Sequence, residues 1–345
     1  MKKNYFMLAA AAMMFAACSE TDMVSEMGEM EKTQEISFES FANKTTRAIA
    51  GPTDLQTAGF QVWGYKAPTA TPMVWTNQYT VFNNVAVSYA SGDWGYTGKK
   101  YWDKKSTYNF YAVAPSSASA YYSIAPTTGM ISITGAESAK STVSKDYVID
   151  RNGVTNVDGN YTGSAHDDVE FDFNHIMSKL SFKLAAGITE NITVTRLTMT
   201  GWNSGNGNFT QILTATPTVT DYISEWNIPT AGTGSITLIG TGTGNETLTL
   251  TAAATPGTYG TAAPVTDTYI MVPQTIAANT LTFTIDFKIG DEVFTGQTGI
   301  VAAAQTWGTD THTTYTINVA PNLINFDVNS VADWTNSGTG GTTIN

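Results

Sequence analysis

The sequence has a single cysteine among its 345 residues, and this residue, Cys18, lies close to the N-terminus. One thiol cannot form a disulfide within the chain, and it cannot supply the several sulfur ligands of a cysteine-based metal cluster. Stability must therefore come from packing and hydrogen bonding.

Charge is scarce as well. Only 13% of the residues are charged, and the formal net charge is −12 at pH 7. An acidic chain of this kind is repelled by the phosphate backbone of nucleic acids and by anionic lipid head groups. We therefore expect no nucleic-acid partner.

The residues that carry most enzyme chemistry are few. The three histidines are His166, His175 and His312, and the acidic residues that follow His166 have no second ligand cluster at zinc-like spacing. The sequence has no nucleophile elbow, phosphate-binding glycine loop or dinucleotide fingerprint. We predict a protein that is not an enzyme and needs no cofactor and no metal. His175 follows an alternating strand, and we interpret it as a structural residue.

No apolar run is long enough to span a membrane as a helix. Residues 1–17 begin with Lys2 and Lys3 after the initial Met, continue through a short apolar run and end in small residues. This pattern is typical of a secretory signal peptide. Cys18 then stands where a bacterial lipoprotein is acylated, so we predict that Cys18 is lipidated. Residues 18–35 are acidic and lack aromatics, which predicts a disordered tether. This tether is interpreted as an export signal, as a solvated spacer, or as both.

Helical periodicity is also missing after the leader, because no segment longer than about ten residues shows it. Period-two alternation is common instead, and it is sharpest in residues 281–288. Residues 60–65 alternate as a half-buried strand does. Short strands with one apolar face predict an all-β fold of two antiparallel β-sandwich domains in tandem. Residues 151–164 are rich in glycine and asparagine and are interpreted as the connection, which places the domains at 36–163 and 164–345.

The first strand of this arrangement has an unusual position. Ile36 and Phe38 alternate with polar residues, Phe41 adds a further apolar side chain, and the Arg47–Ala48 bond follows a few residues later. Cleavage of that bond would free the strand and leave an empty slot in a sheet, which another copy or a relative of the protein could fill. The alternative interpretation is an ordinary first strand followed by a polar loop.

Several segments together resemble the fimbrillin family, the type V pilins of Bacteroidales-type bacteria with their minor and tip subunits. The segments are Ala16-Ala17-Cys18, Ile36-Ser37-Phe38 with Thr46-Arg47-Ala48, Tyr101-Trp102 with residues 108–112, residues 171–180, residues 269–274, and Ile324-Asn325-Phe326 with Asp333-Trp334. The resemblance implies two transthyretin-like domains and export as an outer-membrane lipoprotein. It also implies that an arginine-specific surface protease cuts between Arg47 and Ala48, and that other pilus subunits fill the vacated groove by strand exchange at the cell surface.

The displaced strand would then carry Ile36, Phe38 and Phe41. Burial of each side chain contributes about 1.5–3 kcal/mol, so a donor strand with more apolar side chains would displace it. The tail after Trp334 is a poor donor because it holds three glycines and one large apolar residue. Either residues 324–334 swing out to donate, or the chain is an accessory or tip subunit that accepts a strand and donates poorly.

A second hypothesis assigns the aromatics to sugar binding. Trp94, Tyr96 and Trp102, together with Tyr101, are hypothesised to form a stacking platform for a glycan, and the polar loop at residues 202–208 is also compatible with sugar. The alternative for these rings is core and inter-domain packing. On this second hypothesis the protein is a monomeric outer-membrane lipoprotein adhesin that keeps its first strand and its lipid.

Overall fold

The computed structural model describes residues 34–42, 52–68, 79–103, 106–125, 130–140, 146–150, 155–158, 168–213, 222–321 and 323–331. The strands in these ranges are β1 Phe38–Ala42, β2 Phe60–Pro68, β3 Tyr79–Ala90, β4 Asp93–Tyr96, β5 Ser106–Ala114, β6 Tyr122–Ala125, β7 Met130–Ala136, β8 Ala139–Lys140, β9 Val148–Asp150, β10 Thr155–Asp158, β11 Val169–His175, β12 Ser178–Ala186, β13 Ile192–Asn203, β14 Gly207–Leu213, β15 Tyr222–Asn227, β16 Thr233–Ile239, β17 Leu248–Leu250, β18 Ala263–Pro264, β19 Tyr269–Met271, β20 Gln274–Ile276, β21 Thr282–Ile289, β22 Glu292–Ile300, β23 Gln305–Trp307, β24 Thr311–Ala320 and β25 Leu323–Val331.

The predicted all-β class is confirmed. In the described ranges, helix is limited to α1 (Pro52–Ala58) and a 3-10 helix (Ser116–Tyr121). Neither of these helices has the length and apolar character needed to cross a bilayer.

The first half of the chain is built around an eight-stranded sheet. Its order is β1-β11-β9-β5-β2-β3-β4, with β10 paired to β5. One face packs on a core that includes Phe38, Phe60 and Phe171. The other face packs on a core that includes Trp63 and Tyr111, and a four-stranded sheet of order β15-β14-β7-β6 covers it.

The central strands of the eight-stranded sheet are therefore buried on both sides. We predicted that residues 60–65 form a half-buried strand, and this is wrong: Phe60 to Tyr65 are all buried in β2. The reason is that β2 lies between two apolar cores, and its polar Gln61 is satisfied in part by a bond from its amide to the Ser116 hydroxyl at 2.8 Å. A strand covered on both faces needs no polar face.

The second half is a sandwich of two sheets. The order is β25-β24-β12-β19-β8 in one sheet and β16-β13-β21-β22 in the other, with short additional strands β18 and β17. In β21 the side chains of Phe283, Ile285 and Phe287 are fully buried, and their neighbours are partly exposed. This confirms the alternation predicted for residues 281–288.

Among the strands that the structure describes, two pairs are parallel, which corrects the prediction of purely antiparallel sandwiches. β1 pairs with β11, and β12 pairs with β24, both in parallel. In each pair the two strands are separated by more than a hundred residues of sequence. The chain can therefore return to the same end of the sheet, which a tight hairpin does not allow.

Strand pairing also crosses the predicted domain boundary between residues 163 and 164. β11 lies in the sheet of the first half, and β14 pairs with β7 so that Phe209 lies opposite Ile133. Part of the predicted connection is itself a strand, because β10 pairs with β5. The Trp226 indole donates to the Ile176 carbonyl at 2.9 Å and anchors the β14–β15 hairpin.

This hairpin generates a stability prediction. Phe209 is fully buried and its ring lies 5.3 Å from that of Trp226. We expect Phe209→Ala to lower the free energy of unfolding by about 3–5 kcal/mol through the lost burial and the cavity left behind. Phe294→Ala is the matched control, because Phe294 is only half-buried against Phe287 and should lose clearly less. Urea unfolding measures both, and equal losses would contradict the prediction.

Candidate functional site: the first strand and its groove

Residues 34–42, called here the first-strand segment, bond along two different edges. Toward the start of the segment, the Ile36 amide donates to the Lys100 carbonyl at 2.8 Å, and the Trp102 amide donates to the Gln34 carbonyl at 3.0 Å. Glu35 lies opposite Tyr101 in an antiparallel bridge. This first edge consists of residues 100–102.

The second edge is β11. The Val169 amide donates to the Ser37 carbonyl at 2.9 Å, and from Phe38 onward the segment runs parallel to β11, with Phe38 opposite Val169 and Phe41 opposite Asp172. The segment therefore fills a space between residues 100–102 and β11, which we call the first-strand groove. Within the described ranges, β1 is the outer strand of its sheet.

Two apolar side chains of the segment complete a core. Ile36 is fully buried and Phe38 is 3% exposed. The Phe38 ring is surrounded by four other rings, with centroid distances of 5.3 Å to Phe82, 5.5 Å to Tyr96, 5.9 Å to Phe110 and 5.7 Å to Phe171. Each aromatic pair adds about 0.5–1.5 kcal/mol to the simple burial of area.

Tyr96 joins the segment to the groove in two ways. Its ring contacts Phe38, and its hydroxyl donates to the Ile36 carbonyl at 2.8 Å while accepting from the Lys100 amide at 3.1 Å. Burial raises the pKa of Tyr96 to about 12. The phenol therefore keeps its proton at neutral pH and remains a hydrogen-bond donor.

The Glu35 and Ser37 side chains of the segment make their contacts near the surface. The Lys99 ammonium is 2.6 Å from the Glu35 carboxylate, and the Ser37 hydroxyl donates to the Asp168 carboxylate. The Lys99 side chain is 67% exposed, and exposed ion pairs contribute about 0–1 kcal/mol. Apolar packing and backbone bonds therefore hold the segment.

Of the other residues predicted for maturation, the structure describes only Phe41. Cys18, Arg47 and Ala48 fall outside the described residues. Phe41 is located through its backbone pairing with Asp172.

The aromatics considered for sugar binding are placed mainly against other rings. Trp102 is 2% exposed and packs 4.8 Å from Tyr108, so its ring faces do not meet solvent. Trp94 is partly buried, and its ring lies 4.8 Å from that of Phe60. Tyr96 contacts Phe38 and the Ile36 carbonyl in the first-strand groove. In the loop at residues 202–208, Trp202 is 6% exposed and packs in the core between the two sheets of the second-half sandwich.

Sequence reasoning missed the edge formed by residues 100–102 and the role of Tyr96. The aromatic density of residues 94–102 was visible, and it was interpreted as sugar binding or as core packing. Nothing local to these residues indicates that they face a strand some 60 positions earlier.

The histidines have structural surroundings. His175 Nδ1 lies 3.0 Å from the Asp146 carboxylate, and both side chains are buried. His312 Nε2 lies 2.9 Å from the Ser181 hydroxyl. His166 is outside the described residues, and among the residues that are described no cluster of three or more His, Cys, Asp or Glu could hold a metal ion.

The fold and the groove together define a multi-sheet β protein whose N-terminal strand sits at a sheet edge and completes an aromatic core. The family model described as fimbrillin-like matches residues 46–334. The chain therefore belongs to the fimbrillin-like family.

Solved structures that are similar to this chain include proteins from Bacteroides and Porphyromonas species. A fimbrial protein from Bacteroides vulgatus has 16% sequence identity and a TM-score of 0.61, over 87% of this chain and 99% of that chain. A protein assigned to cell adhesion from Bacteroides uniformis has 16% identity and a TM-score of 0.44, over 87% and 98%. The C-terminally truncated tip fimbrial protein Mfa3 from Porphyromonas gingivalis has 9% identity and a TM-score of 0.37, over 87% and 100%. No curated protein sequence matches.

A first prediction tests how strongly the segment is held. We expect Phe38→Ala to lower the free energy of unfolding by about 3–5 kcal/mol, because it empties the space between four rings. Glu39→Ala changes the next residue, which is exposed, and should change stability by less than about 0.5 kcal/mol. Urea unfolding of the two variants beside the unaltered protein gives the comparison, and a small loss for Phe38→Ala would mean that the segment is not part of the core.

A second prediction concerns pH. Burial, and then the positive charges of Lys179 and Lys183, lower the pKa of His312 to about 4. As the pH falls from about 6.5 to 4, His312 binds a proton in the unfolded state but stays mostly neutral in the folded state. The free energy of unfolding therefore decreases in this pH window. We expect His312→Gln to remove about 1–2 kcal/mol of that loss, allowing for partial solvent screening. Urea unfolding at pH 7 and pH 4.5 measures it, and parallel pH profiles for both proteins would refute it.

Proposed function

We propose that this protein is a structural, accessory or tip subunit of a surface pilus, that it serves cell adhesion, and that it assembles by β-strand exchange. The observation that carries the proposal is the first-strand segment itself. It is an edge strand, it precedes a cleavable Arg–Ala bond, and it supplies Ile36 and Phe38 to a core built otherwise from later parts of the chain. Membership of the fimbrillin-like family and the fold of the fimbrial protein from Bacteroides vulgatus support this role.

The physical driving force for exchange is the cost of an empty groove. Loss of the segment would expose the backbone groups of Lys100, Trp102 and Val169 that it now satisfies, together with the apolar surface around Phe38. A strand from another subunit can restore the backbone bonds and bury more apolar area. Replacement of the segment by such a strand would lower the free energy of the assembly. This is β-augmentation of an exposed sheet edge.

The route to the groove involves the parts of the chain that precede and follow the segment. On this proposal the precursor reaches the outer membrane as a lipoprotein acylated at Cys18. An arginine-specific surface protease then cuts after Arg47, and the mature chain enters the fimbrium from Ala48 onward. The lipid and the first strand leave together, so release from the membrane and opening of the groove are a single event.

The strand pairing at the C-terminal side supports an accessory or tip position. β25 pairs with β24 at nine positions, from Ala320 opposite Leu323 to His312 opposite Val331. Use of β25 as a donor would break this whole ladder and uncover the edge of the second sandwich. A subunit that accepts a strand and keeps β25 in place avoids that cost.

A second candidate function is a monomeric outer-membrane adhesin that keeps its lipid and its first strand. The observation in its favour is that the segment already bonds along both of its edges. Mass spectrometry of the native surface protein separates the two: a mature N-terminus at Ala48 supports assembly, and an intact acylated Cys18 supports the adhesin.

Cleavage gives the test by mutation. We expect Arg47→Ala to leave the fold intact and to block incorporation into fibres, because the segment then stays covalently attached in its groove. Lys44→Ala is the control, since it removes a nearby positive charge without touching the cut bond, and it should assemble normally. Fibre content is measured on the cell surface by immunoelectron microscopy. Unimpaired fibres from the Arg47→Ala variant would exclude this maturation route.

A further inference from the structure

We infer that the first-strand groove selects its occupant by an aromatic ring. The strand that it accepts carries a large aliphatic residue and, two positions later, an aromatic residue. This inference rests on the proposed function, because it specifies the partner strand of the same groove.

The aromatic preference follows from the arrangement around Phe38. The Phe171 ring is stacked on it at an interplanar angle of 23°, whereas Phe82 and Phe110 meet it edge to face at 70° and 80°. Tyr96 is tilted at 60°. A planar ring gains electrostatically from both stacked and edge-to-face partners, and an aliphatic side chain of similar volume cannot.

The surrounding rings belong to strands that remain when the segment leaves. Phe82 lies on β3, Tyr96 on β4, Phe110 on β5 and Phe171 on β11. They also contact one another, with 5.2 Å between Phe82 and Tyr96 and 6.0 Å between Phe82 and Phe110. Phe82, Tyr96 and Phe110 therefore support each other, and Phe171 packs against Phe60 at 5.7 Å. Each ring of the pocket thus has a packing partner other than the strand that occupies it.

Tyr96 sets the spacing between the two selected residues. Its hydroxyl bonds the carbonyl of Ile36 while its ring contacts the ring of Phe38. A strand whose aliphatic and aromatic residues are not two positions apart cannot make both contacts and fill both sites. Tyr96 is thus a positioning residue for the register of the incoming strand.

The polar positions before, between and after these two residues contribute little to the selection of the strand. The Ser37 and Glu35 side chains make their contacts near the surface, and Glu39 is exposed. The groove therefore tolerates variation at polar positions of the strand. It discriminates by the two buried side chains.

Peptide exchange on the full chain tests this inference. The protein is cut by an arginine-specific protease until Ala48 is the new N-terminus found by sequencing, so that the first-strand segment is held only by non-covalent contacts. A fluorescent peptide with the sequence of residues 34–42 is then added, and its uptake is followed by fluorescence anisotropy. The same peptide is compared with its Phe38→Leu and Glu39→Ala forms.

We expect the unaltered peptide and its Glu39→Ala form to bind equally, and the Phe38→Leu form to bind about tenfold more weakly. In the protein, Tyr96→Phe keeps the ring and removes the bond to the Ile36 carbonyl, so all peptides should bind about three- to tenfold more weakly. Tyr89→Phe is the control, because Tyr89 packs on Trp94 and not on Phe38.

The outcomes separate the two levels of the argument. Exchange of the unaltered peptide with equal binding of the Phe38→Leu form would overturn the aromatic selection and leave strand exchange standing. Absence of exchange with any peptide would overturn both. Weakening by Tyr96→Phe no greater than by Tyr89→Phe would overturn the positioning role of Tyr96.

Discussion

The structure depends above all on one strand, β1, which completes the edge of a sheet. Its partner in that sheet, β11, lies about 130 positions later in the chain. Ile36 and Phe38 occupy a core whose other members include residues of β2, β3, β5 and β11, and the backbone of the segment satisfies groups on two edges. Without an occupant, this half of the molecule would carry both unpaired peptide groups and an open aromatic pocket. Such an edge is a hazard in a soluble protein, and it becomes an advantage where one subunit must recognise another.

The groove is closely connected to the rest of the molecule. β11 forms one edge of the groove and ends at His175, and β12 of the second sandwich begins at Ser178, with only two residues between them. The buried His175–Asp146 pair and the Trp226 bond to the Ile176 carbonyl lie at this junction. A short, well-packed connection therefore joins the groove to the second sandwich.

Some features could be predicted from sequence because they depend on local patterns. Alternation gave the strand character of β21 and of the first-strand segment, with Phe283, Ile285, Phe38 and Ile36 correctly expected to be buried. The failures share one cause. The burial of β2 on both faces, the parallel partners of β1 and β12, and the strand within residues 151–164 all depend on which distant segments pack together, and period two carries no information about that.

The sequence alone therefore determined the class of fold, the apolar side chains of the first strand and a polar chain without internal disulfides. Its resemblance to the fimbrillin family also predicted the family that the comparison found. Tertiary structure decided what the first strand touches: residues 100–102 lie about 65 positions away and β11 about 130 positions away. It also buried the Trp102 side chain and placed the Tyr96 hydroxyl against the Ile36 carbonyl. The physical reason is that successive side chains of any strand point to opposite faces, so the alternation is visible in the local sequence. The strand that pairs with an edge is instead determined by the packing of the entire domain.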